Sequence, residues 1–151
     1  MLVADLLKSK GNRLVSVPPD FTVAEVASLL RKERIGAALV KSDENPILGI
    51  ISERDIVSGL DEHGQSVTEM PCSELMSSPV QTCTTHTATE DLMKQMLSKK
   101  IRHLPVVEKN ELLGIVSIGD VVNSVVSELE RTKDILEQQI IRSAAWATDE
   151  D

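Results

Sequence analysis

Two short stretches of the chain carry the same candidate chemistry: GIISERD at residues 49–55 and GIVSIGD at residues 114–120. In each, a glycine and two aliphatic residues run into a serine, and an aspartate follows three positions later. If the serine opens a helix, its hydroxyl and the unpaired N–H groups of the first turn favour a phosphate. The preceding glycine, Gly49 or Gly114, permits close approach of backbone to a ligand. The carboxylate of Asp55 or Asp120 can accept two hydrogen bonds from a sugar diol. The same spacing also describes a helix cap that binds nothing. Thr22–Glu25 shares it without a glycine–aliphatic lead, so the spacing alone leaves both readings open.

No other residues assemble into chemistry. Cys72 and Cys83 form no CxxC pair and match no zinc spacing, so they read as free thiols of a reducing compartment. His63 and His86 lie in polar loops without further ligands at metal spacing. No nucleophile, base and orienting group converge in one motif, so the chain reads as non-enzymatic, with no catalytic residue and no required cofactor. The 151 residues are 41% apolar, enough for a core in one domain or two small units. Phe21 and Trp146 are the two aromatics, so that core is aliphatic. A net charge of −8 and this scarcity of aromatics argue against nucleic-acid binding. No run approaches the roughly 20 apolar residues of a membrane span, and the expectation is a cytoplasmic protein.

The elements that must position the two motifs are themselves duplicated. RIGAALVKSDENPILGIISERDIV (34–57) aligns with KIRHLPVVEKNELLGIVSIGDVV (100–122), with one inserted residue near Asn45. Upstream, TVAEVASLLRKE (22–33) lies over ATEDLMKQMLSK (88–99), VADLL (3–7) over CSELM (72–76), and LVSVPPD (14–20) over VQTCTTH (80–86). Each copy predicts a short strand, a helix capped at Thr22 or Thr87, two apolar strands around a polar turn, and a helix starting at Ser52 or Ser117. The expected fold is α/β (α+β): two β-α-β-β-α repeats that pair their sheets in one core with pseudo-twofold symmetry and two related clefts. The expected divisions are a first repeat at 1–62, a linker at 63–70, a second repeat at 71–127, a helical extension at 128–143 and a flexible tail at 144–151.

The repeated motifs, the strand RHLPVVE and the β-α-β-β-α order resemble a tandem pair of cystathionine-β-synthase (CBS) domains over roughly residues 1–125. The resemblance implies a stand-alone regulatory, energy-sensing module that binds AMP, ADP, ATP or S-adenosylmethionine between its repeats. It also implies phosphate at the motif serine, ribose at the motif aspartate, and the base against backbone and aliphatic side chains. By that analogy one site combines Ser117 and Asp120 with Arg102 and His103 for phosphate, and with Leu14, Val15, Ser16, Gly36 and Ala37 for the base. The mirror site combines Ser52 and Asp55 with Arg54 for phosphate and Val80, Gln81 and Thr82 for the base. Gly36 and Ala37 stand where the second copy has Arg102 and His103, so the Ser117/Asp120 site is expected to take the more phosphorylated ligand.

Past Ser117 the helical pattern continues to about Arg142, whereas the first repeat's helix is expected to end near Gly59. Between Glu128 and Arg142 a thin apolar stripe runs through mixed charge, and such a stripe seeks a partner. One reading is a helix packing across a homodimer, with an unknown regulated protein as the further partner; the other is a helix folding back on its own domain. A rival to the sensor is a scaffold with empty clefts that acts through this acidic, long-helix surface.

Overall fold

The structure, a computed structural model, describes residues 1–11 and 14–149, with residues 148 and 149 described by backbone alone. Helix α1 (Val3–Lys10) is followed by β1 (Ser16–Val17), α2 (Val23–Glu33), β2 (Ala37–Val40), β3 (Gly49–Ser52) and α3 (Glu53–His63). Two 3-10 turns, Gly64–Glu69 and Cys72–Glu74, lead to α4 (Thr89–Lys99), β4 (His103–Glu108), β5 (Glu111–Ser117) and α5 (Ile118–Asp149). The fold is mixed α/β (α+β), with the order β1-β2-β3 in one sheet and β4-β5 in a second.

The sheets are separate ladders, and the outer edge of β3 shows why. Ser77 occupies it, accepting from the Ile50 N–H (3.1 Å) and donating its own N–H to the Ile50 carbonyl (2.9 Å). The first strand of each copy holds the same register: Val17 lies beside Val40, and Cys83 beside Val106, both parallel. In the second copy the strand expected at residues 80–83 shrinks to that one bridge. Gln81 and Thr82 are exposed and have no apolar face to bury.

Local chemistry sets the ends of the elements. The Thr22 hydroxyl accepts from the Glu25 N–H (3.2 Å) and caps α2. The cap expected at Thr87 does not form: Ala88 is the N-cap of α4 and supplies no side-chain bond, while the Thr87 carbonyl accepts from the Val3 N–H (2.9 Å). Both helices end on a left-handed residue, Arg34 (φ 56°) and Lys100 (φ 57°). The second hairpin turns on Lys109 and Asn110, whose positive φ of 49° and 64° suits the twist of the strands they join. Helix α3 runs through the buried Gly59 to His63, past its expected end, and α5 runs past Arg142 to Asp149. Residues 144–149, expected as tail, are therefore helical, and residues 150 and 151 lie outside the described residues.

The chain forms two compact units, and these are not the two sequence repeats. One holds Met1–Gly11, Thr85–Arg102 and the residues from Val116 onward; the other holds residues 14–84 and His103–Ile115. Within the first, Leu2 bridges Ala88, and the Thr89 N–H donates to the Met1 carbonyl (3.0 Å). Within the second, Thr22 bridges Pro71 in the same way, and the Val23 N–H donates to the Met70 carbonyl (2.9 Å). The leading segment of each repeat is thus tied to the main helix of the other repeat.

Each unit buries aliphatic side chains, as composition demands. In the first, α1 and α4 both pack on α5, burying Val3, Leu6, Leu92, Met96 and Val121. In the second, Val17, Val26, Leu30, Ala38, Val40, Ile51 and Cys72 form one cluster. At roughly 1.5–3 kcal/mol per fully buried aliphatic side chain, these clusters dominate the favourable side of folding.

Candidate functional site

In the first motif, β3 delivers Ser52 to the N-terminus of α3, and the register of β2 and β3 sets Ala37 opposite Ser52. Asp55 Oδ2 accepts from the Ser52 N–H (2.9 Å) and from the Ser52 hydroxyl (3.0 Å), and that hydroxyl accepts from the Asp55 N–H (3.3 Å). The Ser77 hydroxyl reaches Asp55 Oδ1 at 3.4 Å. In the second motif the same reciprocal cap recurs: the Ser117 N–H donates to Asp120 Oδ2 (3.0 Å), and the Asp120 N–H donates to the Ser117 hydroxyl (3.1 Å). Both copies are therefore complete capping boxes. A ligand at either has to share the serine and the aspartate with the backbone.

The second motif carries one more partner. Lys10, the last residue of α1, donates from its ammonium to Asp120 Oδ2. Burial alone would raise the Asp120 carboxyl; the Lys10 ammonium and the Ser117 backbone and hydroxyl outweigh it and hold the group below the usual carboxylate range. Neither Lys10 nor Ser77 carries a signal in the sequence. Each comes from the leading segment of the opposite repeat, and no spacing ties it to the aspartate it touches.

The remaining expected residues divide between the two units. Arg54, Val80, Gln81 and Thr82 lie in the same unit as Ser52 and Asp55; Arg54, Gln81 and Thr82 are exposed and Val80 is half-buried. Arg102 lies in the unit of Ser117 and Asp120, exposed at its side chain, and its carbonyl accepts from the Ile118 N–H (2.8 Å). The Gly36 carbonyl accepts from the Glu53 N–H (3.0 Å) at the start of α3, so Gly36 and Arg102 occupy matching places.

His103, Leu14, Val15, Ser16, Gly36 and Ala37 belong to the other unit. There the His103 ring covers Gly36: a Cβ on that glycine would stand 3.1 Å from His103 Nε2. Val15 packs against the core cluster, Leu14 is half-buried and Ala37 is buried. Ser16 lines an open groove of about 770 Å³ with Pro18, Lys41, Asp43 and Pro46, at the far end of β2 from the motif.

Gly49 has a structural role that its sequence reading does not include. A Cβ there would run into the Met76 side chain, 2.8 Å from Cγ, and would come within 3.0 Å of the Ser77 carbonyl. The close approach that this glycine permits is that of the Met76–Ser77 segment. Cys72 and Cys83 are free and buried, and burial pushes the Cys83 thiol up to about 11, so neither is a ready thiolate. Among the described residues no three His, Cys, Asp or Glu side chains are grouped to hold a metal, and no helix is long and apolar enough to cross a membrane.

The family model for the CBS domain matches residues 3–62 and again residues 72–127. The chain belongs to the CBS domain family, as a tandem pair. It is 32% identical to the CBS domain-containing protein YhcV of Bacillus subtilis, over 77% of this chain and 82% of that one. Against relatives from Methanopyrus kandleri and Acidianus ambivalens it spans 56% and 65% of their length. The crystal structure of the CBS-domain containing protein ATU1752 from Agrobacterium tumefaciens superposes with a TM-score of 0.80 at 38% identity, covering 82% of this chain and 98% of that one. The CBS domain protein PAE2072 from Pyrobaculum aerophilum, complexed with AMP, gives 0.68 at 31% identity, covering 80% and 89%.

Proposed function

We propose that this protein is a non-catalytic sensor in which the repeated Ser/Asp motifs bind an adenine nucleotide or a related adenosyl ligand, and that the bound state is passed to a protein partner. The observation that carries the reading is the pair of reciprocal serine–aspartate caps. Both place a hydroxyl and a carboxylate on the first turn of a helix, where a phosphate and a ribose diol find complementary groups. The AMP complex of PAE2072 supports adenine as the base. In this reading Ser52, Arg54 and Asp55 hold the ribose and phosphate of one ligand, and Val80, Gln81 and Thr82 of the same unit take its base. Ser117, Asp120 and Arg102 hold ribose and phosphate of another. Residues 1–62 and 71–127 are the sensing repeats, and the helix beyond residue 128 is a separate contact element in a cytoplasmic homodimer.

Thermal unfolding against AMP, ADP, ATP and S-adenosylmethionine tests the reading. A ligand that binds the native state alone, at 100 times its Kd, adds about 2.7 kcal/mol and raises the midpoint by several degrees. Loss of that rise in Asp55→Ala or Asp120→Ala supports the motif as the clamp. No rise with any of the four at millimolar concentration removes the sensor. A scaffold is the second reading, and the outer half of α5 favours it: Leu129, Leu136, Ile140 and Trp146 are 53–74% exposed.

A further inference from the structure

The two motif aspartates differ in one respect that bears on ligand choice. The partners of Asp55 are the backbone and hydroxyl of Ser52 and the hydroxyl of Ser77, all neutral. Asp120 Oδ2 is shared between the Ser117 N–H and the Lys10 ammonium, and the two ionised side chains are only 36% and 31% exposed. A ribose diol that engages a carboxylate across both oxygens must displace the ammonium from Oδ2. Lysine sits on a flexible four-carbon stem and carries three donors, so it can turn to a new anion without moving the backbone. The Ser117 hydroxyl lies on the same helical turn, beside backbone N–H groups that favour a phosphate.

We propose that Lys10 is a specificity-determining latch on the second motif, paired with Asp120 and transferred to the phosphate of a nucleotide that takes the carboxylate. The inference rests on reading Asp120 as the ribose acceptor and deepens it: at the second motif the group paired with the aspartate also reads the ligand's charge, whereas the neutral partners of Asp55 leave the phosphate of the first motif to Arg54. Uncharged adenosine offers the displaced ammonium no anion in exchange. For AMP, ADP or ATP it gains a phosphate partner.

Calorimetric titration of adenosine, AMP and ATP into the full chain carrying Asp55→Ala, with and without Lys10→Gln, isolates the second motif. The expected signature is a reversal of sign. Lys10→Gln tightens adenosine by about two- to fivefold and weakens ATP by at least as much, in line with a partly exposed ion pair. Lys10→Arg, which keeps the charge, retains the parent's preference for ATP. A purely structural lysine would move all three ligands in one direction, and that result overturns the latch. So does an unchanged set of affinities, or binding that Asp55→Ala abolishes entirely. The parent chain titrated alongside separates the two failures: if it binds an adenine ligand, only the latch falls, and if it binds none, the adenine reading falls with it.

Discussion

Asp55 and Asp120 stand at the same step of the same motif and close the same cap, yet each is finished by a different neighbour. For Asp55 that neighbour is Ser77, reached through a long bond from a neutral hydroxyl. For Asp120 it is the ammonium of Lys10. In both cases it arrives on the leading segment of the other repeat. Duplication has kept what the helix needs and varied what the leader brings. A change in the leader of one repeat is therefore felt at the motif of the other.

The contrast can be broken most forcefully at Gly49, where the leader of the second repeat presses on the first motif. Gly49→Ala sets a methyl against the Met76 side chain and the Ser77 carbonyl. It is expected to lower stability by about 1–3 kcal/mol in urea unfolding, the range for overpacking a tight contact. Unchanged stability would mean that this leader yields freely and that the Ser77–Asp55 contact is incidental.

A smaller effect comes from removing each carboxylate in turn. Asp55→Ala and Asp120→Ala each open a cap, a loss on the order of 0.5–2 kcal/mol. At low salt Asp120→Ala should lose a few tenths more, because it also ends the Lys10 pair, and the gap should close as salt screens exposed charge. Equal losses at every salt concentration would erase the distinction between the motifs.

The smallest effect is in acid. The Asp120 carboxyl is held below its ordinary value in the folded chain. Its contribution to stability is therefore present above the ordinary carboxylate range and is lost as pH falls through its own lowered value. Asp120→Asn is expected to flatten this part of the acid limb of a pH–stability curve. An unaltered limb would place the proton linkage elsewhere.

Much of this architecture is legible in the sequence because it is local. Strand pairs flank polar turns, apolar residues recur at helical spacing, and Ser52–Asp55 and Ser117–Asp120 announce helix starts that the structure contains. What is not legible depends on distant backbone pairing. The Leu2–Ala88 and Thr22–Pro71 bridges each join single residues in stretches too short to show a strand period, and they decide which leader meets which motif. The same pairing draws the Thr87 carbonyl to Val3 and leaves α4 capped at Ala88 without a side-chain bond. Lys10 is hidden for this reason: it is one charged residue among several near the start of the sequence until the chain returns to place Asp120 against it.

The exchanged leaders also impose an order on the chain's birth at the ribosome. Residues 1–11 emerge well before the segments beginning at Thr85 and Val116 that complete their unit. The unit built from residues 14–84 needs only His103–Ile115 to be whole, so it can close while synthesis is still under way. Until α4 and α5 arrive, α1 carries Val3, Leu6 and Leu7 without the surfaces that bury them in the finished protein. Helix α1 is made early and buried late.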